Sequence, residues 1–150
     1  MNKRRLTTVF TVVLGLAPIS FGLRFLLDPH GAASGFGIDP WPTGNEAGYF
    51  IVKAVRDIVC GLNILVLLAL GQRRATGVVM GLAATIPVVD MVAVLTHGGS
   101  VATALGIHGL TAVIVAIAAV VLLRERPEAP ADQAVSVAPA DQPVRVGDHS

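Results

Sequence analysis

Four long apolar stretches alternate with short polar connections along the chain. They cover residues 6–27, 47–70, 75–96 and 101–123. Each is long enough for the roughly 20 residues that a membrane-spanning helix requires. The pattern therefore predicts an all-α protein, a four-helix transmembrane bundle with short loops.

The connections predict where these helices start and stop. Thr43-Gly44-Asn45-Glu46 has the capping-box pattern of a helix start, and Gly71 is placed to end the same helix. HGGS at residues 97–100 leaves room only for a tight turn. The third and fourth helices should therefore be antiparallel neighbours.

Basic residues in the connections predict the orientation of the bundle. In the four-helix arrangement they all fall on one side: Lys3, Arg4, Arg5, Arg73, Arg74, Arg124 and Arg126. The positive-inside rule then makes the protein a multi-pass protein of the cell membrane with both termini cytoplasmic. A rival interpretation takes the first stretch as a cleaved signal peptide. The stretch lacks an A-x-A cleavage site and continues through Arg24, which favours a helix.

Composition supports the membrane assignment. The chain is 53% hydrophobic and 14% charged, with a mean hydropathy of +0.71, far from the balance of a soluble domain. The lipid bilayer is therefore the predicted environment. A formal net charge of +1 indicates no nucleic-acid partner. The single cysteine, Cys60, excludes an internal disulfide.

The composition changes after Arg126. APADQAVSV at residues 129–137 recurs as APADQPVRV at 138–146, and neither copy has an apolar face. This near-duplication predicts a disordered tail at 127–150 behind a helical domain at 1–126.

Charged residues inside the apolar stretches are the main functional signal. A charge at the bilayer centre costs about 2.5–3.5 kcal/mol on insertion scales. At 1.5 Å per residue, those of the second stretch would lie roughly 9–14 Å below the outer surface. Ionisable residues of the other three stretches would lie in the same outer half, which predicts a polar pocket there. The predicted ligand-binding residues are Arg24, Tyr49, Lys53, Arg56, Asp57, Asp90 and His108.

Structural roles remain as alternatives for these residues. Lys53 and Arg24 have stems long enough to reach the headgroups, and Arg24 could pair with Asp28 one turn on. Neighbours on a helix point about 100° apart, so Arg56 and Asp57 are expected to find partners on other helices. A buried salt bridge to Asp90 is the obvious one.

No metal site is predicted, because His97, His108 and Asp90 lack a dense ligand spacing. Small residues do predict close helix packing, and their faces are a candidate homo-oligomer interface: Gly77, Gly81, Ala102, Gly106 and Gly109. Pro87 is expected to kink the third helix one turn before Asp90.

Several segments together resemble a known family. They are GLAPISFGLRFLLDPHGAASGFG, YFIVKAVRDIVCGL, GQRRATGVVMGL and IPVVDMVAVLTHGG, followed by His108. The chain resembles small four-helix membrane proteins catalogued as a domain of unknown function, akin to the DoxX-like proteins. The resemblance implies a four-helix bundle over residues 14–123. It implies no established activity, so cofactors are unknown.

Three functional classes stay open at this point. A binding or accessory protein would hold a lipophilic small molecule or a partner helix in the outer pocket, with Arg56 as an anchor. A membrane-embedded enzyme would use Asp57 or Asp90 as general acid or base, for isomerase, cyclase, hydrolase or quinone-linked redox chemistry. A transporter ranks third, because the inner halves of the helices offer few polar residues.

Overall fold

A computed structural model describes residues 3–125, which form helices joined by short loops and contain no strand. The helices are α1 (Lys3–Leu27), α2 (Pro29–Phe36), α3 (Gly48–Ala69), α4 (Arg73–Ala83), α5 (Thr85–Thr96), α6 (Val101–Thr103) and α7 (Leu110–Arg124). A 3-10 turn (Gly44–Ala47) precedes α3, and a π-helical segment (Ala104–Gly109) joins α6 to α7. The all-α prediction is confirmed for these residues. The predicted tail at 127–150 lies outside them.

Three segments in the described part of the chain are long and apolar enough to cross a membrane. They are Lys3–Leu27, Arg73–Thr96 and Val101–Arg124. The remaining long helix, α3, has 22 residues but carries Lys53, Arg56 and Asp57. The apolar helices indicate a membrane protein.

The two ends of α3 differ from each other in how well the sequence predicts them. The capping box is wrong, because the chain enters α3 through the 3-10 turn and the Thr43 side chain makes no capping hydrogen bond. The C-terminal prediction is confirmed, since Gly71 adopts a left-handed φ of 72°. Gly71 N donates to Leu68 O at 3.0 Å and Gln72 N to Leu67 O at 2.9 Å, the two bonds of a Schellman motif.

Two of the predicted helices are interrupted. The third breaks at Ala84, between α4 and α5, instead of running unbroken from 75 to 96. Pro87 lacks the N–H that would bond to the Ala83 carbonyl, so the predicted kink is present as a break one turn before it. The fourth contains the π-helical segment, where each hydrogen bond spans one residue more than in an α-helix.

Glycines set the closest helix contacts. A Cβ at Gly22 would lie 2.5 Å from the Ala54 carbonyl oxygen, and one at Gly61 would overlap the Gly15 carbonyl oxygen. These contacts bring the backbones of α1 and α3 together. Gly77 lies similarly close to α7, where a Cβ would be 3.0 Å from Leu123 Cγ.

The predicted hairpin of the third and fourth helices is confirmed, because α4 packs on α7 and α5 packs on the π-helical segment.

Side-chain contacts identify which helix ends meet. Arg73 at the start of α4 donates from Nη1 to Thr8 Oγ1 at 2.9 Å and from Nη2 to Glu125 Oε1 at 2.9 Å. We call this the Arg73 end of the molecule. At the opposite end, Phe25 of α1 and Phe50 of α3 pack with α2, and we call this the α2 end.

Candidate functional site

A cavity of about 230 Å³ lies between the helices. Toward the Arg73 end its walls are apolar side chains, including Leu14, Ile64, Met80 and Val115. Ile64 and Met80 also belong to the buried core, so this end of the cavity is formed by core side chains. Its lining on α1 runs from residue 14 to residue 25, which corresponds to about 16 Å of helix.

The α2 end of the cavity is polar. Ionisable side chains from four helical segments line it: Arg24, Lys53, Asp57, Asp90 and His108. Ala32, Gly35 and Phe36 of α2 lie beside them, and Cys60 lines the wall one turn deeper than Asp57. The cavity is therefore amphipathic along its length.

Lys53 and Asp57 form an ion pair within α3. Lys53 Nζ donates to Asp57 Oδ2 at 2.9 Å, and the two residues are one helical turn apart. Lys53 Nζ also lies 5.2 Å from the ring centre of Phe25 and 5.3 Å from that of Phe36, within the range of cation–π attraction. This arrangement offsets part of the cost of burying the lysine.

Arg56 lies outside the cavity. Its Nε is 3.7 Å from Asp57 Oδ1, and its side chain is 57% exposed. The expectation that Arg56 and Asp57 find partners on other helices is wrong for the described residues, because Asp57 pairs with both cations of its own helix. The expected salt bridge to Asp90 is not formed there either.

Asp90 is the carboxylate without a partner at this site. Within residues 3–125 its side chain makes no hydrogen bond and no ion pair. No side-chain nitrogen or oxygen in that range is both fully buried and unpartnered, so the Asp90 oxygens are accessible. Asp90 can therefore accept a hydrogen bond from a molecule in the cavity.

His108 is buried, with 8% exposure, and lies in the π-helical segment. Its Nε2 is 3.0 Å from the carbonyl oxygen of Phe36, and its ring centre is 4.9 Å from that of Phe36. A carbonyl oxygen only accepts, so Nε2 carries a proton. In the neutral ring, Nδ1 is then a hydrogen-bond acceptor. The same contact holds α2 over the cavity.

Arg24 lines the cavity but does not pair with Asp28 as expected. Asp28 instead accepts a hydrogen bond from Gly31 N at 2.9 Å and caps α2. Tyr49 is 72% exposed and does not line the cavity. Of the seven predicted binding residues, the structure gathers five around the cavity and leaves Tyr49 and Arg56 outside it.

Sequence reasoning missed the part that α2 plays in this site. The sequence did carry signals of a short helix here: Asp28 as N-cap, Pro29 at the first helical position and Gly37 after the last turn. In the structure Gly37 ends this helix with a left-handed φ of 97°. The Phe36 carbonyl carries no sequence signal, because its role is a backbone contact with a residue 72 positions away.

In the part of the chain that the structure describes, no three His, Cys, Asp or Glu side chains are grouped to hold a metal ion.

Comparison with known proteins gives one match. A family model described as "Domain of unknown function (DUF4267)" matches residues 15–122. The matched range contains all five ionisable residues of the cavity. No curated protein and no solved structure matches the chain.

Proposed function

The chain belongs to the DUF4267 family, whose function is unknown, and we propose that it binds a small lipophilic molecule in the amphipathic cavity. The proposal rests on the cavity itself, which is apolar toward the Arg73 end and polar at the α2 end. Ligand sites typically combine such apolar walls with a few convergent polar groups. Kinship with the DoxX-like proteins stays a prediction.

The size of the cavity limits the ligand. Pockets for drug-sized ligands measure about 300–1,000 Å³, and this one is smaller. An apolar cavity of about 150 Å³ holds benzene, so 230 Å³ suits a molecule of about ten non-hydrogen atoms.

We also propose that the four long helical segments form a transmembrane bundle with both termini cytoplasmic. The support is the clustering of basic residues at the Arg73 end, together with Lys53 and Asp57 of α3, which line the cavity. Reporter fusions at Ser150 and in the 39–45 loop should give opposite signals. A periplasmic-type signal at Ser150 would contradict this orientation.

The native cysteine allows a direct binding test. Cys60 lines the cavity and is the single cysteine of the chain, so its alkylation reports access to the site. We expect decanol, with eleven non-hydrogen atoms, to slow the alkylation of Cys60 by N-ethylmaleimide in phosphatidylcholine vesicles.

A cavity-filling variant provides the control for this test. Ala83→Phe places a ring into the cavity and should abolish the protection by decanol. Val89→Phe, at an exposed position that does not line this cavity, should leave the protection unchanged. Equal protection in the wild type and Ala83→Phe would mean that decanol acts through the bilayer, which would refute the proposal.

A membrane enzyme is the second candidate, and one observation favours it. Asp90 lines the cavity and has no partner among the described residues, whereas Asp57 is occupied by Lys53 and Arg56. Asp90 is therefore the better candidate for a general base. Turnover of a bound lipophile that Asp90→Asn abolishes, with binding retained, would establish this function in place of simple binding.

A further inference from the structure

We infer that the ligand of the cavity is a neutral lipophile whose polar end both donates and accepts hydrogen bonds, as an alcohol does. This inference rests on the proposed function and adds the chemical class of the ligand. It follows from comparing the hydrogen-bond donors and acceptors at the α2 end of the cavity that already have partners with those that do not.

Two acceptors line the α2 end without a donor. Asp90 has no hydrogen bond or ion pair within the described residues. In a neutral His108 ring, Nδ1 is the second acceptor, because Nε2 donates to the Phe36 carbonyl. Asp90 is half-buried, and an acceptor that is partly withdrawn from water gains free energy from a donor, a charged acceptor more than a neutral one. A ligand with an O–H or N–H group would meet this need, and a hydrocarbon would not.

Donors are also available at this end. Lys53 Nζ has three N–H bonds, and Asp57 accepts one of them. Arg24 lines the cavity without forming an ion pair to Asp28. A headgroup that both donates and accepts can therefore donate to Asp90 and accept from Lys53 or Arg24.

The charges around the cavity balance before any ligand enters. Among the side chains that line the cavity, the cations Arg24 and Lys53 are matched by the carboxylates Asp57 and Asp90. Arg56 pairs with Asp57 from outside the cavity, where its side chain is 57% exposed. A carboxylate ligand would be drawn to the two cations but would face Asp90. An ammonium ligand would be drawn to Asp90 but would face Lys53, which lines the same end of the cavity. A neutral headgroup avoids both repulsions, which are strong in surroundings of low polarity.

The test compares four probes with the same ten-carbon chain: decane, decanol, decylamine and decanoic acid. Protection of Cys60 from N-ethylmaleimide is measured on the full chain in phosphatidylcholine vesicles, per mole fraction of probe in the bilayer. A hydrogen bond to a charged acceptor is worth about tenfold or more in affinity, so decanol should protect at about a tenth of the decane concentration.

Variants identify the acceptor. Asp90→Leu should remove the preference for decanol over decane while decane still protects, which also shows that the cavity persists. Thr111→Val is the matched control, because Thr111 lines the cavity but its hydroxyl already donates to Ile107 O at 2.6 Å. This control should keep the wild-type preference.

The outcomes separate the two proposals. Equal protection by decane and decanol would overturn the inferred ligand class but leave binding in the cavity standing. Strongest protection by decylamine or by decanoic acid would overturn the neutral headgroup. Absence of protection by all four probes would refute the proposed function and the inference with it.

Discussion

Replacing Asp57 by asparagine should destabilise the protein far more than the same replacement at Asp90. Asp57 holds Lys53 at 2.9 Å and Arg56 at 3.7 Å, and its side chain is 10% exposed. Removing one partner of a buried pair costs about 3–5 kcal/mol, because the other charge stays buried. Lys53 keeps 22% exposure, and the new amide oxygen can still accept from its Nζ. We therefore expect the free energy of unfolding to fall by about 2–3 kcal/mol.

Asp90→Asn removes no partner, because Asp90 forms no ion pair within residues 3–125. Neutralising a carboxylate that is partly withdrawn from water also relieves a desolvation cost. The free energy of unfolding should stay within about 0.5 kcal/mol of the wild type.

Equilibrium unfolding of the full chain in mixed micelles, titrated with sodium dodecyl sulfate, measures both variants. Arg56→Gln is the control, because Arg56 is the more exposed partner of Asp57, and it should lower the free energy of unfolding by less than about 1 kcal/mol. A double-mutant cycle of Arg56→Gln with Asp90→Asn should show a coupling energy near zero. Losses of similar size at Asp57 and Asp90, or a clear coupling to Arg56, would refute the pairing described here.

Two further predictions address the packing of the helices and the ion pair at the Arg73 end. Gly61→Ala should destabilise by more than about 1 kcal/mol, because its Cβ would overlap the Gly15 carbonyl oxygen. Gly81→Ala is the control, because its Cβ would have its nearest neighbour at 3.8 Å, and it should stabilise the protein by up to about 1 kcal/mol. Equal unfolding free energies for the two variants would contradict the close contact between Gly61 and Gly15. Hydrogen bonds from Arg73 hold the pKa of Glu125 below its usual value near 4.5. A carboxyl with a lowered pKa stabilises the folded state above the unfolded pKa, and this contribution is lost as the pH falls through the folded pKa. We therefore expect the wild type to be more stable than Glu125→Gln by a constant amount above about pH 4.5 and by less below it. Unfolding at a series of pH values measures this difference. A difference that does not depend on pH would contradict the assignment.

The sequence predicts the long helices well, because length and apolar character decide them. The second stretch, predicted at 47–70, is α3 at Gly48–Ala69, and Gly71 ends it as expected. The break at Ala84 is displaced from the proline that causes it, since proline deprives a carbonyl four residues earlier of its donor.

The candidate site is harder to predict, because its polar partners depend on rotamers and on distant backbone. Lys53 and Asp57 share one stripe of the sequence, yet whether Asp57 turns to its own helix or to a neighbour depends on packing that the stripe does not encode. The π-helical segment that carries His108 has no sequence signal. The contact from His108 to Phe36 joins two segments whose relation only the fold determines.

A crystal structure of the full chain grown with decanol would show whether the cavity binds a lipophile. We expect elongated non-protein density along the cavity, with its apolar part beside Leu14 and Met80 and its polar end within hydrogen-bonding distance of Asp90 or of Nδ1 of His108. A cavity filled by its own side chains, or density whose polar end lies beside Leu14, would contradict this expectation.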